Sequence, residues 1–216
     1  MKIAIIGSGR IGGTVGKLWA QAGHQVRFSS RHPEGLDTLV AESGPNASGS
    51  SIEEALAFGE AFLISIPYGS LPAFGEQYGK QLGGKVVLET GNPYPQRDAE
   101  GAKQVLDSRL GTGYWSARWL PGTRLVRAFN SVWDRTLARE AHRKPPQVGI
   151  PLAADDAQAM EVASGLVRDA GFDPVLVGPL SRAREFDVGT PVYNTGMSGP
   201  EVRQALGLPQ SGTAAR

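Results

Sequence analysis

Short apolar runs alternate with segments of helical periodicity up to Asn130. The runs IAIIG, FLISIP, KVVLE and LVRAF are nearly uninterrupted by polar residues. Strands of this kind are typical of a parallel sheet that helices cover on both faces. The alternation predicts an α/β fold with a doubly wound parallel sheet. The predicted strands lie near residues 2–6, 25–29, 47–49, 61–66, 85–89 and 124–129, and the predicted helices near 10–22, 34–43, 51–58, 70–81 and 98–109.

The pattern changes after Asn130. A helical segment ends at the KPP break, and a strand in QVGIPLAA, a helix and a second strand in GFDPVLVG follow. We therefore expect a small appended C-terminal β-α-β unit that extends or flanks the main sheet. The predicted organisation is a main domain over residues 1–145, a small α/β extension over 146–208 and a disordered tail over 209–216.

Composition excludes several classes of protein. The 22 basic and 21 acidic residues nearly cancel, so no overall charge attracts a nucleic acid or a membrane surface. Cysteine is absent and the three histidines are scattered, so we expect no metal site. The N-terminus enters an apolar strand directly, and the apolar stretch at 61–67 is far shorter than a membrane span. These features predict a cytoplasmic protein without membrane or nucleic-acid partners.

A glycine motif, GSGRIG at residues 7–12, follows the first predicted strand and opens the first helix. In this position Gly7 allows a tight turn, Gly9 lets the backbone approach a pyrophosphate, and Gly12 lets the helix pack closely on the sheet. The free N–H groups of the helix start favour an anion. The motif therefore predicts a dinucleotide site and makes residues 1–145 the nucleotide-binding Rossmann domain.

The end of the second predicted strand decides which dinucleotide is preferred. An NAD site places Asp or Glu there to accept a hydrogen bond from the ribose. This chain has Ser29, Ser30 and Arg31 instead, with no acid before Glu34. Because a guanidinium can bind two oxygens of a phosphate, the segment predicts NADP(H).

The glycine loop, the SSR strand end and the segments ISIPYGSL and RAFNSVW together resemble the F420-dependent NADP oxidoreductase family, over residues 1–185. The resemblance implies hydride transfer between NADP(H) and the deazaflavin coenzyme F420 or a flavin-like acceptor such as FMN. It also implies that Ser8, Gly9, Arg10 and Ile11 hold the pyrophosphate, that Ser30 and Arg31 hold the 2′-phosphate, and that Ile66 and Pro67 flank the nicotinamide ribose.

The acceptor side carries no acid–base motif, and no catalytic side chain is assigned. Because the cofactors carry the chemistry of hydride transfer, the protein mainly positions two rings. Asn92 and Asn130 are candidates to bind the carboxamide or the acceptor ring, or they satisfy their own loops. Trp115 and Trp119 lie four residues apart on a predicted helix, so their side chains share one face of it. We expect them to pack in the core, to contact a second subunit or to form an aromatic wall for a planar acceptor ring.

Two other functions stay open at this point. Reduction of a small carbonyl or imine needs a proton donor near the nicotinamide. The candidates are the polar residues after the strands: Tyr68, Thr90, Asn92, Tyr94, Asn130 and Ser131. A non-catalytic NADP(H)-binding redox sensor is compatible with the same fold. A β-hydroxyacid dehydrogenase is excluded, because the segment after Asn130 is too short for its helical second domain. A homodimer is also expected, because an acceptor site on so small an extension would be shallow.

Overall fold

A single eight-stranded sheet with helices on both faces makes up the computed structural model, which describes residues 1–210. The strands are β1 (Lys2–Ile6), β2 (Gln25–Ser29), β3 (Ala47–Ser50), β4 (Ala61–Ile64), β5 (Val86–Glu89), β6 (Arg124–Arg127), β7 (Gly149–Ala154) and β8 (Asp173–Gly178). The helices are α1 (Arg10–Gln21), α2 (Asp37–Ser43), α3 (Ile52–Phe58), α4 (Leu71–Tyr78), α5 (Pro95–Ser108), α6 (Gly111–Trp119), α7 (Asp134–Glu140), α8 (Ala157–Asp169) and α9 (Gly199–Ala205).

The strand order β3-β2-β1-β4-β5-β6-β7-β8 confirms the predicted doubly wound Rossmann sheet. Strands β1 to β6 are all parallel. The chain runs outward from β1 in both directions, so the loops after β1 and β4 diverge. This divergence opens a crevice at the carboxyl ends of the strands, where ligands bind in such sheets.

The appended unit extends the same sheet. Strand β7 pairs antiparallel with β6, and β8 pairs parallel with β7. The predicted β-α-β extension is therefore present as β7, α8 and β8, and its hydrophobic face continues the main core. The domain boundary at 145/146 falls between α7 and β7 and stays a prediction.

Two hydrophobic layers flank the sheet. On one face, Trp19 of α1 packs over Ile5 and Leu63 and donates a 2.7 Å hydrogen bond from its indole nitrogen to the carbonyl oxygen of Leu166 in α8. On the other face, Phe62 and Ile64 are covered by residues of α3, α4 and α6. Because helices bury both faces of the sheet, the central strands are apolar at nearly every position.

The end of the chain is only partly described. Of the predicted tail 209–216, Pro209 and Gln210 are described, and the Gln210 amide donates to the carbonyl oxygen of Pro200 at 3.3 Å. Residues 211–216 lie outside the described residues. None of the helices within residues 1–210 combines the length and the apolar character needed to cross a bilayer.

Candidate functional site

In the loop after β1, Gly9 faces open space next to the uncapped N-terminus of α1. Gly7 has a φ of +93°, and a Cβ there would lie 2.5 Å from the carbonyl oxygen of Ser65, so only glycine fits. A Cβ on Gly12 would overlap the carbonyl oxygen of Gly7, whereas a Cβ on Gly9 would meet nothing within 4 Å. No side chain caps the start of α1. The loop therefore offers uncapped N–H groups to an anion that approaches Gly9.

A cleft of about 660 Å³ runs from this loop along the carboxyl ends of β1, β2 and β4. We call it the first cleft. It brings together the glycine loop, the end of β2 and the segment after β4, as the sequence predicts. Among the described residues, no carboxylate lines it, which suits an anionic ligand. The lining residues are Ile6, Gly7, Ser8, Gly9, Ser29, Ser30, Arg31, Leu36, Ile52, Ser65, Ile66, Pro67, Ser70, Ala73, Phe74, Gln77 and Tyr78.

Hydrogen bonds fix the end of β2 against the glycine loop. The Ser8 hydroxyl donates to the carbonyl oxygen of Ser29 at 3.0 Å, and the backbone N–H of His32 donates to the Ser30 hydroxyl at 3.0 Å. Arg31 is exposed at the rim of the cleft and forms no hydrogen bond or ion pair within residues 1–210. Its guanidinium is therefore available to an anion.

A second cavity of about 420 Å³ lies beyond the segment after β4. Ser65, Ile66 and Pro67 line both spaces, which therefore adjoin at these residues, and we call the three residues the shared wall. Arg10 and Ile11, which the resemblance assigns to the pyrophosphate, line the second cavity rather than the first cleft. The other lining residues are Thr90, Gly91, Asn92, Tyr94, Arg97, Phe129, Asn130, Val132, Trp133, Asp134, Tyr193 and Asn194.

Asn92 and Asn130 contact each other at the floor of the second cavity. The Asn92 amide donates to the carbonyl oxygen of Asn130 at 2.7 Å, and the Asn130 amide donates to the carbonyl oxygen of Phe186 at 3.3 Å. The Oδ1 atom of Asn130 is buried and has no partner among the described residues. A buried acceptor without a donor is costly, so this oxygen is suited to a ligand N–H group.

Two tyrosine hydroxyls meet in the same cavity. Tyr94 follows β5, Tyr193 lies between β8 and α9, and their hydroxyl groups are hydrogen-bonded. Burial, followed by the hydrogen bond with Tyr94, raises the pKa of Tyr193 above its ordinary value. Sequence reasoning included Tyr94 among the polar residues after the strands but missed Tyr193. No local motif marks Tyr193, because it reaches the cavity from the far end of the chain.

A buried ion pair supports the turn beneath this cavity. The strand register places Glu89 beside Arg127, both side chains are buried, and their charged groups are in contact. Arg127 donates to the carbonyl oxygen of Gly91 at 2.8 Å, and the backbone N–H of Gly91 donates to the Glu89 carboxylate. Burial opposes the charge of Arg127, but the carboxylates of Glu89 and Asp187 outweigh it and raise the pKa of Arg127.

The pair was not predicted, because KVVLE and LVRAF were interpreted as apolar runs. The signal was present: opposite charges end two strands that were predicted in the same parallel sheet. In such a sheet the carboxyl ends of neighbouring strands lie side by side.

The predicted aromatic helix is α6, and its tryptophans lie away from both spaces. The ring of Trp115 packs against Trp119 at a centroid distance of 5.5 Å, and Trp119 packs against Tyr68 at 5.3 Å. Trp115 also donates to the Ser108 hydroxyl at 2.8 Å. Neither tryptophan lines the first cleft or the second cavity. This placement favours core packing over an aromatic wall.

The segment that builds the first cleft matches a known family. Residues 2–93 match the model described as "NADP oxidoreductase coenzyme F420-dependent". Residues 2–93 are thus similar to this family. The matched segment contains the glycine loop, Arg31 and the shared wall, and with them every residue that was predicted to hold the dinucleotide. The rest of the resemblance, up to residue 185, lies outside the matched segment.

One curated relative and several solved structures are similar over a longer part of the chain. The metalloreductase STEAP3 of Rattus norvegicus is 26% identical over 191 residues, which is 86% of this chain and 36% of the relative. The chain thus spans little more than a third of that relative's length. A hypothetical protein from Sinorhizobium meliloti has a TM-score of 0.80 and 23% identity, covering 92% of this chain and 95% of that chain.

Two further solved structures share the fold. A candidate F420-dependent NADP-reductase from Arthrobacter sp. FB24 has a TM-score of 0.71 and 20% identity, covering 92% of this chain and 99% of that chain. An imine reductase from Bacillus cereus has a TM-score of 0.63 and 20% identity, covering 85% of this chain and 57% of that chain. At these identities the likeness shows the fold.

Proposed function

We propose that this protein is an NADP(H)-dependent oxidoreductase that transfers a hydride between NADP(H) and a deazaflavin (F420) or flavin-like acceptor. The observation that carries the proposal is the shared wall. The first cleft and the second cavity meet at Ser65, Ile66 and Pro67. A nicotinamide that extends past these residues from the first cleft would enter the second cavity and lie against an acceptor ring bound there.

The residues of the first cleft fit NADP(H). The uncapped start of α1 and the open side of Gly9 suit a pyrophosphate. Ser30 and Arg31 would hold the 2′-phosphate, since Arg31 has no partner within residues 1–210 and no described carboxylate lines the cleft. When bound, NADP(H) supplies or accepts the hydride at its nicotinamide ring.

The second cavity fits the reacting rings. The unpaired Oδ1 of Asn130 would accept a hydrogen bond from the nicotinamide carboxamide or from a ring N–H of the acceptor. Asn92 holds Asn130 in place through its backbone carbonyl, and Ile66 would bound the ribose. These side chains would bind and orient the two rings and exclude water from the space between them. Such positioning is the protein's main contribution to hydride transfer.

The test is an anaerobic assay of the full chain with NADPH and one acceptor at a time, following the loss of nicotinamide absorbance. F420, FMN and a panel of small carbonyls and imines are compared. We expect turnover with F420 or FMN. Turnover with the carbonyl or imine panel alone would assign the protein as a reductase of that class. Tight NADPH binding without turnover of any acceptor would assign a redox sensor.

A further inference from the structure

The second cavity contains a pair of hydroxyl groups that binding of the two rings does not use. Tyr94 and Tyr193 come from opposite ends of the site, and their hydroxyls are hydrogen-bonded to each other. Both side chains line the cavity that contains the shared wall and Asn130. The pair therefore lies in the space that the acceptor would occupy.

One of the two hydroxyl protons of Tyr94 and Tyr193 has no hydrogen-bond acceptor among residues 1–210. Two hydroxyls carry two protons, and the contact between them uses one. The side-chain amide of Asn92 donates to the Tyr193 hydroxyl at 3.5 Å, so it does not accept a proton from the pair. Neither hydroxyl has a further acceptor among residues 1–210. The cavity thus offers a ligand one free hydroxyl proton in addition to the free acceptor atom of Asn130.

Both tyrosines are held in position by neighbouring residues. The guanidinium of Arg97 stacks 5.1 Å from the ring centre of Tyr94 and donates to the carbonyl oxygen of Asn92 at 2.8 Å. The loop that carries Tyr193 is fixed by the backbone N–H of Asn194, which donates to the carbonyl oxygen of Ser131 at 2.7 Å. Because burial raises the pKa of Tyr193, its hydroxyl stays protonated near neutral pH.

We propose that the hydroxyl pair of Tyr94 and Tyr193 is the proton donor of the acceptor site. This inference rests on the proposed function and adds catalytic residues to it. An acceptor carbon that takes a hydride leaves a nitrogen or oxygen of the same conjugated system with a new lone pair. The free O–H bond of the pair breaks and an N–H or O–H bond forms on the acceptor, while NADPH loses two electrons and the acceptor gains them. Water then reprotonates the tyrosinate.

The experiment compares single-turnover rates of NADPH oxidation by F420 in the wild type, Tyr193→Phe, Tyr94→Phe and the double variant. Tyr114→Phe is the matched control, because Tyr114 is exposed and lines neither space. General acid catalysis contributes about a hundredfold or more, so we expect the double variant to lose at least about tenfold in rate. We expect NADPH affinity to stay unchanged in every variant. The wild-type rate should show a solvent deuterium isotope effect that the double variant lacks.

Three outcomes would overturn the proposal. Variants that match the wild-type rate would show that the hydroxyls deliver no proton. A loss of NADPH affinity equal to the loss of rate would show a packing role. If the wild type oxidised NADPH with none of the tested acceptors, the proposed function itself would be refuted, and the proton-donor role with it. The last outcome is distinct, because failure of the tyrosine assignment alone leaves the wild type active.

Discussion

Arg31 is the residue on which the proposed preference for NADP(H) depends. It is exposed at the rim of the first cleft, without a partner within residues 1–210, where an NAD site would place a carboxylate. A 2′-phosphate with about two negative charges is therefore the ligand group that it suits.

Replacing Arg31 by alanine should weaken NADPH binding by about ten- to a hundredfold, because a charge-assisted hydrogen bond contributes about 1.5–3 kcal/mol. NADH binding should change little, since NADH lacks the phosphate. Calorimetric titration with both nucleotides measures the two effects. Arg118→Ala, an exposed arginine on α6, is the control. Equal losses for NADPH and NADH would remove Arg31 from the 2′-phosphate site.

At the scale of elements, β5 and β6 are joined at their carboxyl ends by the buried pair of Glu89 and Arg127. Replacing Arg127 by methionine leaves the Glu89 carboxylate buried without its partner. Such a loss destabilises a protein by about 3–5 kcal/mol. Removing both charges, as in Glu89→Leu with Arg127→Met, should cost less than Arg127→Met alone. Urea unfolding of the wild type, Arg127→Met and the double variant measures these differences in the free energy of unfolding. A double variant no more stable than Arg127→Met would contradict the account.

A second link between elements depends on pH. Asp156 caps α8 by accepting a 2.7 Å hydrogen bond from the N–H of Ala159, and it accepts two from Arg124 at the start of β6. The Arg124 guanidinium, followed by the Ala159 N–H, lowers the pKa of Asp156 to about 2. The folded pKa is thus below the unfolded value of about 3.9, so the stabilisation is complete above about pH 4 and is lost as the pH falls toward 2.

Asp156→Asn keeps an N-cap but removes the charge. The urea midpoint of the wild type should exceed that of the variant at pH 6, and the difference should shrink as the pH falls to 2. A difference that stays constant over this range would show that the charge of Asp156 contributes nothing.

The sequence predicts the elements better than it predicts the contacts among their ends. The motif GSGRIG and its neighbours predict β1, the start of α1 and the accessible side of Gly9, because a strand, a turn and a helix start all depend on local sequence. Predicted β4 extends to residue 66, whereas the strand ends at Ile64. The two extra residues, Ser65 and Ile66, form the shared wall together with Pro67. Apolar periodicity cannot distinguish a buried strand from a buried loop that continues it.

The same limit applies to the candidate site. Asn92 and Asn130 follow strands that were predicted to be parallel, so their meeting could be expected from topology. Tyr193 could not be predicted, because its position depends on how the C-terminal extension folds back over the sheet. Contacts between residues so far apart in the chain depend on tertiary structure rather than on a local pattern.

At the scale of the whole molecule, one sheet carries both halves of the site. The family segment 2–93 supplies the first cleft, and the C-terminal extension supplies Tyr193 and Asn194 to the second cavity. Binding of NADPH to the folded state alone should therefore stabilise the whole chain, by about 2.7 kcal/mol at a hundred times its dissociation constant. Thermal unfolding should show a higher midpoint with NADPH than with equal NADH. Equal midpoints would contradict the cofactor assignment.

The central claim is that a hydride passes directly from the nicotinamide to an acceptor ring bound against it, beside Ser65, Ile66 and Pro67. The most direct measurement uses NADPH carrying deuterium in both positions at nicotinamide C4, with an acceptor that is reduced at carbon, such as F420. Mass spectrometry of the product follows. The account predicts one deuterium bound to the reduced carbon of each acceptor molecule. A reduced acceptor without deuterium would contradict direct transfer between the two rings.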